Sequence, residues 1–136
     1  MRAVATLVVA ALATIGSAAA AQPFAHHSRT STVRVIEKEM HVLASPKVVP
    51  AGRVSFEIRN GGSVAHELVV LRHDRGGRLP VRHFKAEEAG VLGEAAEIAP
   101  GKRTRLTLRL KPGRYLLLCN VPGHYQLGMF TLLRVT

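Results

Sequence analysis

The 136-residue chain contains a single cysteine and no tryptophan, with two tyrosines and four phenylalanines. One cysteine cannot form a disulfide within the chain, so any core must hold by packing alone. The scarcity of aromatic rings removes the stacking platforms on which single-stranded nucleic acid is bound. Acidic residues are also few: nine Asp and Glu stand against nineteen Lys and Arg, a formal charge of +10. The basic residues are spread along the chain (Arg34, Lys38, Arg53, Arg59, Arg72, Arg103, Arg105, Arg109, Arg114) rather than bunched in a tail. Such a surface suits acidic protein partners or anionic lipid better than it suits nucleic acid.

Long apolar runs are absent except at the start. MRAVATLVVAALATIGSAAAAQP has one positive charge (Arg2), an apolar stretch from Ala3 to Ile15, then small residues from Ser17 to Ala21. That order is the pattern of a cleavable secretory signal, and residues 1–21 are read as one. The competing reading, a membrane anchor, fits less well because the run is Ala-rich and ends in a cleavable Ala cluster. No other segment has the length and hydropathy to cross a bilayer. Cleavage leaves about 115 residues, the size of one domain. Residues 22–31 are polar and patternless and read as a flexible leader, with the domain occupying 32–136. The export signal implies a periplasmic or secreted protein.

What the remainder does have is short β-type alternation punctuated by turns. In RVSFEIR, Val54, Phe56 and Ile58 alternate with Arg53, Ser55, Glu57 and Arg59. NGG (60–62) is a turn signal, and in VAHELVVL the residue His66 shares its parity with Val64, Leu68 and Val70. TRLTLRL sets Thr104, Leu106, Leu108 and Leu110 against Arg103, Arg105, Thr107 and Arg109. RYLLLC and GMFTLLRV add two more strands, and TVRVIEKEMHVL (32–43) supplies one or two. Residues 78–100 break the rhythm. HFKAEEAGVLGEAAEI has helix formers interrupted by glycines, so a short helix is expected between residues 80 and 98. Six to eight strands with regular turns indicate an antiparallel sandwich.

The chemistry gathers in LLLCNVPGHYQLGMF (116–130), where Cys119, His124 and Met129 follow one another at five-residue intervals. Pro122, Gly123 and Gly128 force a turn between two strands, which brings a thiol, an imidazole and a thioether to one end of the sheet. A lone cysteine in a core is most often inert, and a lone methionine is most often filler. Their spacing around His124 reverses that expectation. The set is soft and mixed: copper accepts it, magnesium and calcium do not, and thioether is not a usual zinc ligand. His66, inward by parity, is placed to complete it. Two His and one Cys in a plane with a weak axial Met form the ligand set of a blue-copper site.

On these residues the chain resembles the cupredoxins, the small blue-copper proteins of the plastocyanin, azurin and sulfocyanin type. The resemblance rests on an isolated upstream His66 followed by C-x4-H-x4-M (Cys119, His124, Met129). It extends through VPAG…V.F..RN.G...HE (Val49 to Glu67) and APGK…L.L.L.PG.Y...C (Ala99 to Cys119). It implies a Greek-key β-sandwich of seven to eight antiparallel strands with one mononuclear copper ion at one end. Cys119, His66 and His124 would be equatorial ligands and Met129 axial. The ring of His124 would emerge through an apolar patch, here Val121, Pro122, Tyr125 and Leu127, and exchange electrons with redox partners. Glu67 stands where many members have Asn; it and Asn120 are expected to support the ligand loop, with the Glu67 carboxylate taking a loop N–H. Leu118 stands where plastocyanin has an aromatic residue, which leaves His124 as the electron route.

The function expected is therefore an exported one-electron carrier, not an enzyme, because four protein groups fill the metal shell. The alternative is a periplasmic copper-binding, delivery or tolerance protein, which the scarcity of methionine disfavours. A donor and an acceptor protein are the expected partners, docking through acidic surfaces, with membrane-surface contact as a further expectation; no nucleic acid is expected, and a monomer is. His26, His27 and His41 are candidates for additional metal; Glu87 and Glu88 are read as a solvated face, and His73 and His83, in turn or loop contexts, are assigned no role.

Overall fold

A computed structural model describes residues 29–136; the expected signal segment and most of the leader, His26 and His27 included, lie outside the described residues. Eleven strands run in order: β1 Ser31–Lys38, β2 His41–Ser45, β3 Val48–Val49, β4 Gly52–Asn60, β5 His66–Arg72, β6 Val81–Arg82, β7 Lys85–Ala86, β8 Val91–Ile98, β9 Arg103–Leu110, β10 Gly113–Leu118 and β11 Phe130–Val135. They form a four-stranded sheet, β2-β1-β4-β9, a five-stranded sheet, β3-β11-β10-β5-β8, and the small hairpin β6-β7. The expected β-sandwich is present, with two differences. The two-residue strands β3, β6 and β7, too short to show alternation, raise the count above seven or eight. Two pairings, β1 with β4 and β3 with β11, are parallel rather than antiparallel.

The core between the sheets follows the alternation in the sequence. Val33 and Val35 of β1, Val54, Phe56 and Ile58 of β4, Leu68 and Val70 of β5, Tyr115 and Leu117 of β10, and Leu133 and Val135 of β11 are buried together. Burying each such side chain contributes roughly 1.5–3 kcal/mol. A second cluster lies on the other face of the five-stranded sheet. There Val69, Leu71, Leu116 and Leu118 pack with Ala86 and Tyr125, closed over by Leu79, Val81 and Phe130. This is why Leu116 to Leu118 are apolar without interruption: the strand is covered on both faces.

The short helix expected between residues 80 and 98 is replaced by strands. Residues 81–86 form the β6-β7 hairpin, and 91–98 form β8, which pairs with β5. Period two wins over helix propensity because Gly93 and Ala95 face inward while Glu94 and Ala96 face out. Gly93 gives close approach: a Cβ there would meet Leu108 Cδ2 at 2.7 Å, so the leucine would have to shift where β8 crosses β9 of the other sheet.

Candidate metal centre

His66 opens β5 directly after the turn at Gly61–Ala65, and Cys119 directly follows β10. The loop from Cys119 to Met129 is closed at its neck by the Cys119 N–H donating to the Met129 carbonyl at 3.0 Å. Met129 N–H donates to the His124 carbonyl (3.1 Å), and His124 N–H to that of Val121 (2.9 Å). Gly123 and Gly128 take φ of 86° and 100°, so the tight turns inside the loop need glycine. Three of the four candidate ligands are thus carried on one hairpin whose backbone fixes their relative places.

The side chains converge. Cys119 Sγ lies 3.4 Å from His124 Nδ1 and 3.8 Å from His66 Nδ1. The two imidazoles meet edge to face, 5.2 Å between centroids. Among the described residues, His66, Cys119 and His124 form a group whose ligand atoms all lie within 4.8 Å of one another. An ion about 2.0 Å from nitrogen and about 2.3 Å from sulfur in a trigonal array separates S and N by roughly 3.7 Å, so the observed spacing accommodates one ion. Cys119, His66 and Met129 are fully buried, while His124 keeps 9% exposure, so of the four it alone reaches the surface.

The electrostatics suit a site that exchanges a proton for a cation. Burial pushes the Cys119 thiol up to about 11, with the Glu37 and Glu67 carboxylates adding to it; the backbone N–H groups of Glu67 and Val121 pull the other way. A cation at the sulfur reverses this balance, because the ligand is the thiolate. His66 is held below its ordinary value, first by burial and next by His124, while Glu39 opposes. The ring is therefore neutral near pH 7. Its Nε2 is buried without a well-directed hydrogen bond, and Oε1 of Glu39 stands 3.4 Å away.

Asn120 holds the loop against β7: its Oδ1 accepts the Ala86 N–H (2.7 Å) and its Nδ2 donates to the Ala86 carbonyl (3.0 Å). Glu67 is half-buried; burial raises its carboxyl, and Lys85 and the Asn120 backbone N–H act against that. Pro122 and Leu127 are exposed, and Val121 is partly buried against the main core. Tyr125 is not a surface residue. Its ring is fully buried in the second cluster, its hydroxyl accepts the Leu79 N–H at 2.7 Å, and it packs on Phe130.

In its place stands a residue the sequence pattern did not single out. Phe84, at the tip of the β6-β7 hairpin, is 69% exposed, and its carbonyl accepts the Gly123 N–H at 2.7 Å, bringing it beside the loop. Two acids were likewise missed. Glu37 shares the inward parity of Val33 and Val35, which was visible in VRVIEK; Glu39 lies in a two-residue turn, where no periodicity marks it. His41 is exposed and 3.4 Å from the Glu39 carbonyl, and it belongs to no such group of ligand atoms among the described residues.

Residues 4–132 match the family model of the cupredoxin-like domain, and the chain belongs to that family. The solved structures it resembles include auracyanin B, 26% identical with a TM-score of 0.58, aligned over 79% of this chain and 88% of that one. Auracyanin A from Chloroflexus aurantiacus, described as a blue copper protein, is 24% identical with a TM-score of 0.59 over 79% and 100%. Rusticyanin from Thiobacillus ferrooxidans is 19% identical with a TM-score of 0.56 over 79% and 77%. No curated protein sequence matches the chain. Family and geometry agree: the cluster of His66, Cys119 and His124 fits a single type 1 copper site.

Proposed function

We propose that the protein is an exported one-electron carrier in which Nδ1 of His66, Sγ of Cys119 and Nδ1 of His124 are the equatorial copper ligands and Met129 the axial one. The observation that carries this reading is the approach of both Nδ1 atoms to one buried sulfur, at 3.4 and 3.8 Å. Copper held there supplies reversible one-electron chemistry between its cupric and cuprous forms. The chain supplies a dry, preformed cage: three donors sit on one hydrogen-bonded hairpin and the fourth opens a core strand, so little has to move between oxidation states. His124 is the route in and out, since it alone of the four reaches the surface. Around it, Pro122, Leu127 and Phe84 offer an apolar contact, with Arg78, Arg82 and Lys85 close by in sequence to favour an acidic redox partner.

Residues 1–21 are read as the cleavable export signal. Complete burial of Cys119 and Met129 supports carriage of electrons over delivery of the ion, because a delivery site needs ligands that exchange quickly. A non-enzymatic role is favoured because four protein donors would leave no open position for substrate.

The test is metal analysis, optical spectroscopy and electron paramagnetic resonance on protein loaded with copper. One copper per chain, an intense absorption toward the red end of the visible and a narrow parallel hyperfine splitting are expected, all lost in Cys119→Ser. A colourless protein, or a colour that survives Cys119→Ser, overturns the assignment.

A further inference from the structure

The outer face of the four-stranded sheet has a charge pattern that folding alone disfavours. The alternation that buries Val54, Phe56, Ile58 and Leu110 turns Arg53 and Arg59 of β4 and Arg103, Arg105 and Arg109 of β9 outward, with Arg34 of β1 beside them. Register sets Arg53 directly opposite Arg109, and Arg59 directly opposite Arg103. Like charges directly opposite on antiparallel strands destabilise the pair. One acid on β4, Glu57, interrupts the array and is bonded by Arg105 at 3.0 Å. Next to the arginines, Ile36 of β1 and Leu43 of β2 are paired in register and exposed. From Arg53 to Arg59 the array extends roughly 20 Å along the strand.

The geometry points to this face as a docking surface for an anionic lipid bilayer. Charge complementarity selects an anionic partner, the strand register gathers the arginines on one face, and the exposed Ile36–Leu43 pair suits the headgroup–acyl boundary rather than a purely polar acidic protein. His66, Cys119, His124 and Met129 all belong to the other sheet or its loops, so lying on the membrane leaves the His124 end free for a redox partner. The inference stands independently of copper.

Sedimentation with phosphatidylglycerol vesicles, against phosphatidylcholine vesicles, tests it on the metal-free and copper-loaded chain alike. Binding to the anionic vesicles alone is expected, weakened by salt. Each Arg→Gln change among Arg53, Arg59, Arg103 and Arg109 should weaken it roughly fivefold, whereas Arg75→Gln with Lys85→Gln, both outside the four-stranded sheet, should lose far less. Equal binding to both vesicles, or unchanged binding after all four changes, overturns the proposal. So does binding to poly-glutamate without binding to vesicles, which assigns the face to an acidic protein.

A different observation carries a second inference. The Glu39 carboxylate, in the β1–β2 turn, is seated in the turn before His66: Oε1 accepts the N–H groups of Ser63 (2.6 Å) and Val64 (3.0 Å) and lies 3.4 Å from His66 Nε2. Gly62 makes room for it, since a Cβ there would fall 2.3 Å from the same oxygen. We infer that Glu39 is a positioning residue whose carboxylate accepts a hydrogen bond from Nε2–H of His66, fixing the tautomer in which the Nδ1 lone pair faces the cation, and that its negative charge favours the cupric state. This rests on the copper reading above. Glu39→Gln and Gly62→Ala, which displaces the carboxylate, should both keep the blue absorption and raise the reduction potential, and Glu39→Asp should restore part of the wild-type value. Potentials equal to wild type in both variants overturn this inference; absence of the absorption from the wild-type protein overturns the copper reading instead.

Discussion

At the scale of single residues, Met129, fully buried at the end of the ligand loop, is the proposed axial ligand, the position whose bond to the ion is weakest in such a site. Met129→Leu keeps the volume and the burial while removing a donor that stabilises the oxidised ion. Copper should stay bound and the potential should rise in voltammetry; a fall contradicts the axial role. Glu37 carries a separate prediction. Its carboxyl is fully buried, with neither oxygen hydrogen-bonded, and burial, with Glu67 adding, raises its pKa to about 8. Above the ordinary value of 4.5 the unfolded chain releases this proton while the folded one keeps it up to about 8. The folded state then binds more protons than the unfolded state, so stability is fully present at low pH and falls as pH rises through that window. His66 opposes this trend below about pH 6.5, so the decline is cleanest between about pH 7 and 8.5. Thermal melts of the metal-free protein should show it, and Glu37→Gln should flatten it, gaining on the order of a few kcal/mol at the upper end.

At the scale of elements, the ligand hairpin depends on what is wedged beside it. Asn120 reads the backbone of Ala86 as another strand would, joining the loop to the β6-β7 hairpin. Asn120→Ala leaves a buried N–H and carbonyl unpaired, and should cost about 2–3 kcal/mol in denaturant unfolding, with faster amide exchange at Ala86. The strands that hold the site were readable because each sets a wet face against a dry one: RVSFEIR and TRLTLRL became β4 and β9 with the expected faces inward. Residues 78–98 were not readable in the same way. Their inner face is made of Gly93 and Ala95, too small to register as apolar positions, and the β6-β7 hairpin is defined by pairing with itself and with Asn120 rather than by a pattern. The same blindness misplaced Tyr125. Its neighbours in sequence are loop residues, whereas its burial comes from Phe130 of β11 and from Leu79 and Val81, which the long connection brings over the loop. Cys119 and His124 could be read together because five residues separate them; His66, 53 positions from the sulfur, was found by parity and by what the other donors lacked.

At the scale of the whole molecule, the excess of positive charge sets how the protein meets small oxidants and reductants. At a formal +10 on the full chain, oxidation by anionic ferricyanide should be fast at low ionic strength and slow as salt is added, while oxidation by a cationic cobalt(III) complex should respond in the opposite sense. Stopped-flow measurement of both at two salt concentrations checks this. A common salt response for the two reagents would mean that the field at the His124 end is not set by the net charge.

The lone thiol lies sealed behind the ligand loop with no exposed surface. Alkylating reagents can therefore reach it in the metal-free chain only when the loop or the sandwich opens. Labelling by such a reagent becomes a clock for that opening, with no engineered probe needed. It also means that purified protein can be kept in air without a reducing agent and without joining into cross-linked pairs.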